Sequence, residues 1–163
     1  MRANEILNEM PFVSDIKRTQ ATGKTYFHGS MDNLPVDTIL RPGNDDYENN
    51  WGDNLWYKAL EMYRPAKYRS HSESVFMVDN EDDVDNAGGG TDYLFTMRPL
   101  GKVQRHDMNW MSEIGGKLDD GADMQSNEIK KLALNYWNGV PHPNESVWEY
   151  LTGEAVVVKT EPY

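Results

Sequence analysis

What most narrows the fold is the way the β-prone runs are punctuated: each is short, their spacing is irregular, and turn residues cut them apart. Thr25-Tyr26-Phe27-His28 reads as a strand closed by Gly29-Ser30. Ser74 to Val78 is a second, fully apolar after its first residue, and Thr91 to Met97 a third, with Lys102 to Arg105 as a brief continuation beyond Pro99-Leu100-Gly101. Val147 to Leu151 and Ala155 to Lys159 close the chain on either side of Thr152-Gly153. Helical patterns alternate with these runs too rarely for a doubly wound parallel sheet. The expectation is α+β: a split, mainly antiparallel β-sandwich with flanking helices. At 163 residues, with no repeat or linker, residues 1–163 form one domain, large enough to bury about two thirds of its unfolded surface.

Apolar residues at helical spacing predict a short leading helix over 3–10, stopped by Pro11, and a longer one over about 50–63, carried by Trp51, Leu55, Trp56, Ala59, Leu60 and Tyr63 and stopped by Pro65. A third spans about 126–137, with Ser126 as its N-cap, Ile129, Leu132, Ala133 and Tyr136 on one face, and Gly139 past its end. The acidic run after Val78 reads as a turn or short helix, Gly88-Gly89-Gly90 as a connector, and 115–125 as a Gly- and Asp-rich loop.

Composition removes several classes of function. A formal charge of −11, from 16 Lys plus Arg against 27 Asp plus Glu, opposes broad capture of nucleic acid, which needs a basic footprint. With no Cys there is no disulfide framework, thiolate zinc site or cysteine nucleophile. No run approaches the length of a membrane span, and MRANEILNEMPF lacks the apolar core of a signal peptide, so a soluble, cytoplasmic protein is expected. His71, His106 and His142 show no metal-ligand spacing and read as surface or loop residues; no metal is expected. Trp110, Trp137 and Trp148 read as core or cleft walls.

Three segments, in order, resemble the motifs of the ADP-ribosyltransferases. Tyr26-Phe27-His28-Gly29-Ser30, with Leu34 to Gly43 after it, is similar to the first motif of the rifampin ADP-ribosyltransferases and related His-type enzymes. Arg69 to Met77, through Ser72 and Ser74, resembles the second, a strand forming the floor of the nicotinamide pocket. Trp148-Glu149-Tyr150-Leu151-Thr152-Gly153-Glu154, running into Ala155 to Lys159, resembles the last, where a catalytic Glu opens a strand.

This resemblance implies an ADP-ribosyltransferase-like fold and a mono-ADP-ribosyltransferase that uses NAD as substrate. It implies that His28 holds a ribose hydroxyl, with Gly29 and Ser30 against the nicotinamide amide. Ser74 and Phe76 would wall the pocket, and Glu149 would be catalytic, with Glu154 as the alternative. Where His-type members place a Tyr, this chain has Val75 or Phe76, so Phe76, Tyr68 and Tyr93 are all candidates for the ring on nicotinamide. Val147, two residues before Glu149, stands where arginine-specific members carry Glu or Gln, which disfavours arginine as acceptor. Arg69, with Arg64 and Lys67 beside it, could meet the NAD pyrophosphate.

The chemistry suits these residue types independently of the likeness. A strand-end His presents one donor and one acceptor, Gly allows close approach, and a carboxylate stabilises an oxocarbenium-like ribosyl cation. The expected acceptor is a protein, with a small molecule or a nucleic-acid end as alternatives, and acceptor choice would lie in loops over 43–53, 79–90 and 115–125. The compact, acidic, cysteine-free style is similar to small bacteriophage proteins, for which the host cytoplasm would be the compartment. The rival expectation is a non-enzymatic acidic protein, an inhibitor or DNA mimic, that occupies a basic partner.

Overall fold

A computed structural model describes residues 23–43, 49–87 and 90–163. The helix expected over 3–10 lies outside them, as do parts of the loops expected over 43–53 and 79–90. Among the described residues no helix is long and apolar enough to cross a membrane.

The β-prone runs become strands β1 (Tyr26–Ser30), β2 (Ile39–Leu40), β3 (Val75–Val78), β4 (Tyr93–Pro99), β5 (Gln104–Asp107), β6 (Trp148–Thr152) and β7 (Ala155–Pro162). They form one seven-stranded sheet in the order β2-β7-β4-β1-β3-β6-β5, and its pairings are antiparallel. The expected split, mainly antiparallel sandwich with flanking helices is thus mixed α and β with an antiparallel arrangement, in which the strands are joined into one sheet that has a seam. β1 matches β4 from Tyr26↔Met97 to Ser30↔Tyr93, whereas it meets β3 at Phe27↔Val78 alone. Just past that pair the His28 ring fills the seam, its Nδ1 2.7 Å from the carbonyl oxygen of Phe76. A β3 carbonyl thus finds a side-chain donor in place of a strand amide, which meets the rule that buried carbonyls be satisfied while letting the strands part.

One face of both half-sheets feeds a common core. Tyr26, Val75, Met77, Phe95, Met97, Tyr150, Ala155 and Val157 share it, the period-2 alternation of each strand deciding which residues enter. The face of β3, β6 and β5 that carries Val78, Glu149 and His106, in register with one another, turns instead toward helices α1 (Leu55–Met62), α2 (Asn109–Asp119) and α3 (Asn127–Trp137). Leu60, Ile114, Tyr136 and Trp137, none measurably exposed, hold the helices together, and each buried side chain of this size contributes about 1.5–3 kcal/mol.

Helix α3 begins as expected: Ser126 Oγ accepts the Ile129 amide at 3.2 Å, and Gly139 takes φ 67° just beyond its end. Helix α1 starts later than its apolar pattern, because Asn54 caps it by accepting the Trp56 amide. Helix α2 replaces half of the loop expected over 115–125. Its Gly115-Gly116 pair reads as a breaker, and each glycine costs about 1 kcal/mol in a helix. Tertiary contacts override that: Trp110, Ile114 and Leu118 recur every fourth residue and are buried, and Asp107 Oδ1 accepts the Asn109 amide at 3.1 Å as the helix begins. At Gly115 the space a Cβ would take lies 3.8 Å from the Trp56 ring.

Candidate functional site

The parting of β1 from β3 opens a cleft of about 460 Å³ between the β1 end and the helices. His28, Gly29 and Ser30 line it from β1, Phe76 from β3 and Glu149 from β6, joining all three segments singled out in the sequence. Gly29 has a packing reason to be glycine: a Cβ there would stand 2.2 Å from the Gly90 carbonyl oxygen and 2.8 Å from Val84. Gly90 is constrained in return, since its Cβ would come 2.5 Å from the Met31 amide. Two backbones touch where no side chain fits.

His28 is fixed by its bond to Phe76. A ring nitrogen facing a carbonyl must donate, so Nδ1 carries the proton and Nε2 is the acceptor. Burial pushes the imidazole below its ordinary value, with the Phe76 bond opposing, so the ring is neutral at pH 7.

Glu149 is 3% exposed and meets a polar network packed under the helices. The Tyr136 hydroxyl on α3 donates to its Oε1. His71, in the short 3-10 turn His71–Glu73, brings Nε2 within 3.4 Å of the same oxygen and within 2.6 Å of the Tyr136 hydroxyl. The other His71 nitrogen, Nδ1, lies 3.7 Å from Glu61 Oε1 on α1. Burial alone would raise the Glu149 carboxyl; His71 and Tyr136 outweigh it and hold the group below the usual carboxylate range. His71 is raised, since Glu149 and Glu61 overcome its burial. The result is a buried carboxylate, ionised at pH 7, at the wall of a cleft.

Other expected site residues fall elsewhere. Ser74 is buried and donates through Oγ to the Ser70 carbonyl at 2.6 Å; it closes the turn bearing His71 and does not join the cleft lining. Arg69 lies in a separate groove of about 790 Å³ with Arg41, Arg64, Lys67 and Lys102. Its side chain donates to the Glu73 carbonyl at 3.2 Å, because the Arg69–Glu73 turn points it away from β1. Glu154 is in the same groove, paired with Arg41 at 3.2 Å and with its side chain 43% exposed. Of the candidate rings, Phe76 lines the cleft, Tyr93 stands across from Ser30 and packs on the sheet core, and Tyr68 faces Trp137 and His106.

The largest correction concerns histidines. His71 and His106, expected at the surface or in loops, are 1% and 0% exposed, His71 in a short turn and His106 on β5. Their burial is possible because partners meet their nitrogens: His106 takes the Tyr136 carbonyl at Nδ1 and the Gln104 amide at Nε2, both at 2.9 Å. Gln104 is two residues away on the same strand, but Tyr136, like the Glu61 and Glu149 partners of His71, comes from a distant segment that the local pattern does not mark. Trp51 lies ahead of α1, while Trp56 stands in its first turn and packs on the helical core as expected; both also line the cleft, with ring centres 5.7 Å apart. Trp137 and Trp110 are core, as expected, at 0% and 6% exposure.

No protein-family model and no curated protein matches the chain.

Proposed function

We propose that the cleft binds NAD and that the chain transfers its ADP-ribose to an acceptor, releasing nicotinamide. The observation that supports this most is the meeting of His28, Gly29, Ser30, Phe76 and Glu149 around one cavity. A cleft of about 460 Å³ suits the nicotinamide and its ribose, within the range of small-molecule sites. On this reading His28 Nε2 accepts a ribose hydroxyl, Phe76 offers its face to the nicotinamide ring, and the Trp51–Trp56 pair borders the remainder.

The reaction breaks the bond between ribose C1′ and the pyridinium nitrogen, whose electron pair leaves with nicotinamide. Positive charge gathers on the ribosyl group as the bond stretches. A carboxylate held ionised in a water-poor site stabilises that charge and accepts the 2′-hydroxyl hydrogen bond. The acceptor nucleophile then bonds C1′ and gives up its proton to solvent. A protein acceptor is the favoured partner, with a small molecule or a nucleic-acid end as outcomes of the test, and the cytoplasm, or a host cytoplasm for a phage-encoded chain, is the compartment.

The test is incubation of wild type and Glu149→Gln with labelled NAD and a bacterial lysate, following label transfer and free nicotinamide together. Transfer by wild type that Glu149→Gln loses supports the reading and captures the acceptor. Nicotinamide release without transfer turns it into NAD hydrolysis. No release and no NAD binding sinks it, leaving the acidic interaction protein to be tested by salt-sensitive attachment to a basic partner.

A further inference from the structure

The network behind Glu149 contains more than a catalytic carboxylate needs for burial. Ionisable and hydroxyl groups from four elements face His71: Glu61 and Tyr57 from α1, Tyr136 from α3, Glu149 from β6 and His106 from β5. Glu61 is itself tied to Arg64 at 2.9 Å. The donors run one way. His71 Nε2–H points to the Tyr136 oxygen, and the Tyr136 hydroxyl donates onward to Glu149 Oε1. His71 Nδ1 lies 3.7 Å from Glu61 Oε1, at ion-pair distance. A ring that donates at Nε2 and turns Nδ1 toward a second carboxylate is an imidazolium, and only that form gives the buried Glu149 carboxylate a countercharge, the half-buried Glu61 having Arg64 as well. His106 does not supply it: burial lowers that ring to about 4, and its Nε2 faces an amide donor.

We propose that His71 is a positioning residue for Glu149: an imidazolium clamped between Glu61 and Glu149 that works through the Tyr136 hydroxyl to hold the Glu149 carboxylate in one orientation, ionised, at the cleft. The inference rests on the NAD reading for its consequence in turnover but not for its effect on the carboxylate. His71 touches Glu149 and Tyr136, and it is absent from the cleft lining. The geometry also gives the reaction a pH window. Activity requires Glu149 ionised and His71 protonated. It should fall in acid as Glu149 takes up a proton, and fall in alkali as His71, raised above its ordinary 6.5, loses its own.

Two readouts test this with the full chain. The first, independent of turnover, is the titration of the Glu149 carboxyl carbon by NMR in glutamate-labelled protein, assigned with Glu149→Gln. His71→Gln, which keeps one donor and removes the charge, should move that titration upward by at least one pH unit. The second is the pH profile of kcat with NAD. In His71→Gln, kcat should fall at least tenfold with KM for NAD within threefold, and the alkaline limb should vanish. Glu61→Gln, which leaves His71 in place with one countercharge fewer, should shift the alkaline limb to lower pH and retain more activity. It decides the matter if His71→Gln does not fold. An unmoved Glu149 titration in folded His71→Gln, or an unmoved alkaline limb in Glu61→Gln, overturns the proposal. A wild type that neither binds nor turns over NAD defeats the NAD reading while the carboxyl titration still decides the role of His71.

Discussion

Glu149 and Glu154 flank the same β6–β7 turn, and their surroundings are opposite. Glu149 is 3% exposed, receives the Tyr136 hydroxyl and the His71 ring, and borders the cleft with His28. Glu154 has a 43% exposed side chain and one arginine partner in a basic groove. Residue type and local pattern are equal; packing alone separates them. A buried carboxylate must be compensated by donors, and donors built for one carboxylate also aim it. The exposed glutamate pays no such penalty and gains no such direction.

The largest expected effect sets the two against each other. Glu149→Gln should lower kcat for nicotinamide release roughly 10²–10³-fold, as expected for loss of a preorganised electrostatic group, while Glu154→Gln should stay within about twofold. Steady-state assays of both variants give the comparison. The reverse ranking would move the chemistry to the basic groove and end the reading of the cleft.

Much of this contrast was beyond the reach of local pattern. Strands β1, β3, β6 and β7, and helix α3 with its Ser126 cap, follow from alternation, spacing and cap chemistry, which are properties of neighbours in sequence. His28, Gly29 and Phe76 were singled out by resemblance to known motifs, and the strands that carry them have marked ends, so their meeting in one cleft follows from the strand order. His71, Tyr136 and Glu61 meet only when α1, α3 and the 3-10 turn pack together, so a polar Ser70–Glu73 stretch reads as surface. Helix α2 was hidden by its glycines, and Arg69 was misplaced because a cation near a motif in sequence need not be near it in space.

The two buried histidines sharpen the comparison through pH. Both stack on Tyr136, with ring centres 5.6 Å away for His71 and 4.6 Å for His106, yet carboxylates reach one while a carbonyl and an amide reach the other. The folded His106 value is lowered from 6.5 to about 4. The unfolded chain therefore binds the extra proton, and stability falls as pH drops from 6.5 toward 4, by about 3 kcal/mol in all. His71 has the opposite sign: its raised value gives stability that is full below 6.5 and lost as pH rises through the folded value. Following the imidazole carbon resonances from pH 8 to 3 should find His106 neutral until about 4 and His71 taking up its proton above 6.5. Coincident titrations near 6.5 would erase the distinction.

Tyr136→Phe should come next in size. It keeps the ring in the helical core and removes the hydroxyl between His71 and Glu149, at about 1–3 kcal/mol for a buried acceptor losing its donor. Urea unfolding measures it. A variant as stable as wild type would show that His71, 3.4 Å from Oε1, closes on the carboxylate unaided.

Binding separates the cleft from the groove at a smaller scale. His28→Ala should weaken NAD by roughly tenfold, the worth of one well-placed hydrogen bond, and Arg69→Ala should leave it unchanged because Arg69 stands in the other cavity. Calorimetry with NAD on the Glu149→Gln background avoids turnover. Weakening by Arg69→Ala alone would instead put the pyrophosphate in the groove.

The smallest effect belongs to the exposed pair. Arg41→Ala removes the ion pair that reaches Glu154 among the described residues, at 3.2 Å and with the Arg41 side chain 61% exposed. Such pairs are worth about 0.2–1 kcal/mol, because water and salt screen both charges and two long side chains must be ordered to meet. Its unfolding free energy should therefore change little and less still in high salt, whereas the Tyr136→Phe loss should survive salt, since Tyr136 is fully buried and Glu149 only 3% exposed. If salt erased both differences alike, Glu149 would be as well solvated as Glu154, and burial would no longer distinguish the two ends of the turn.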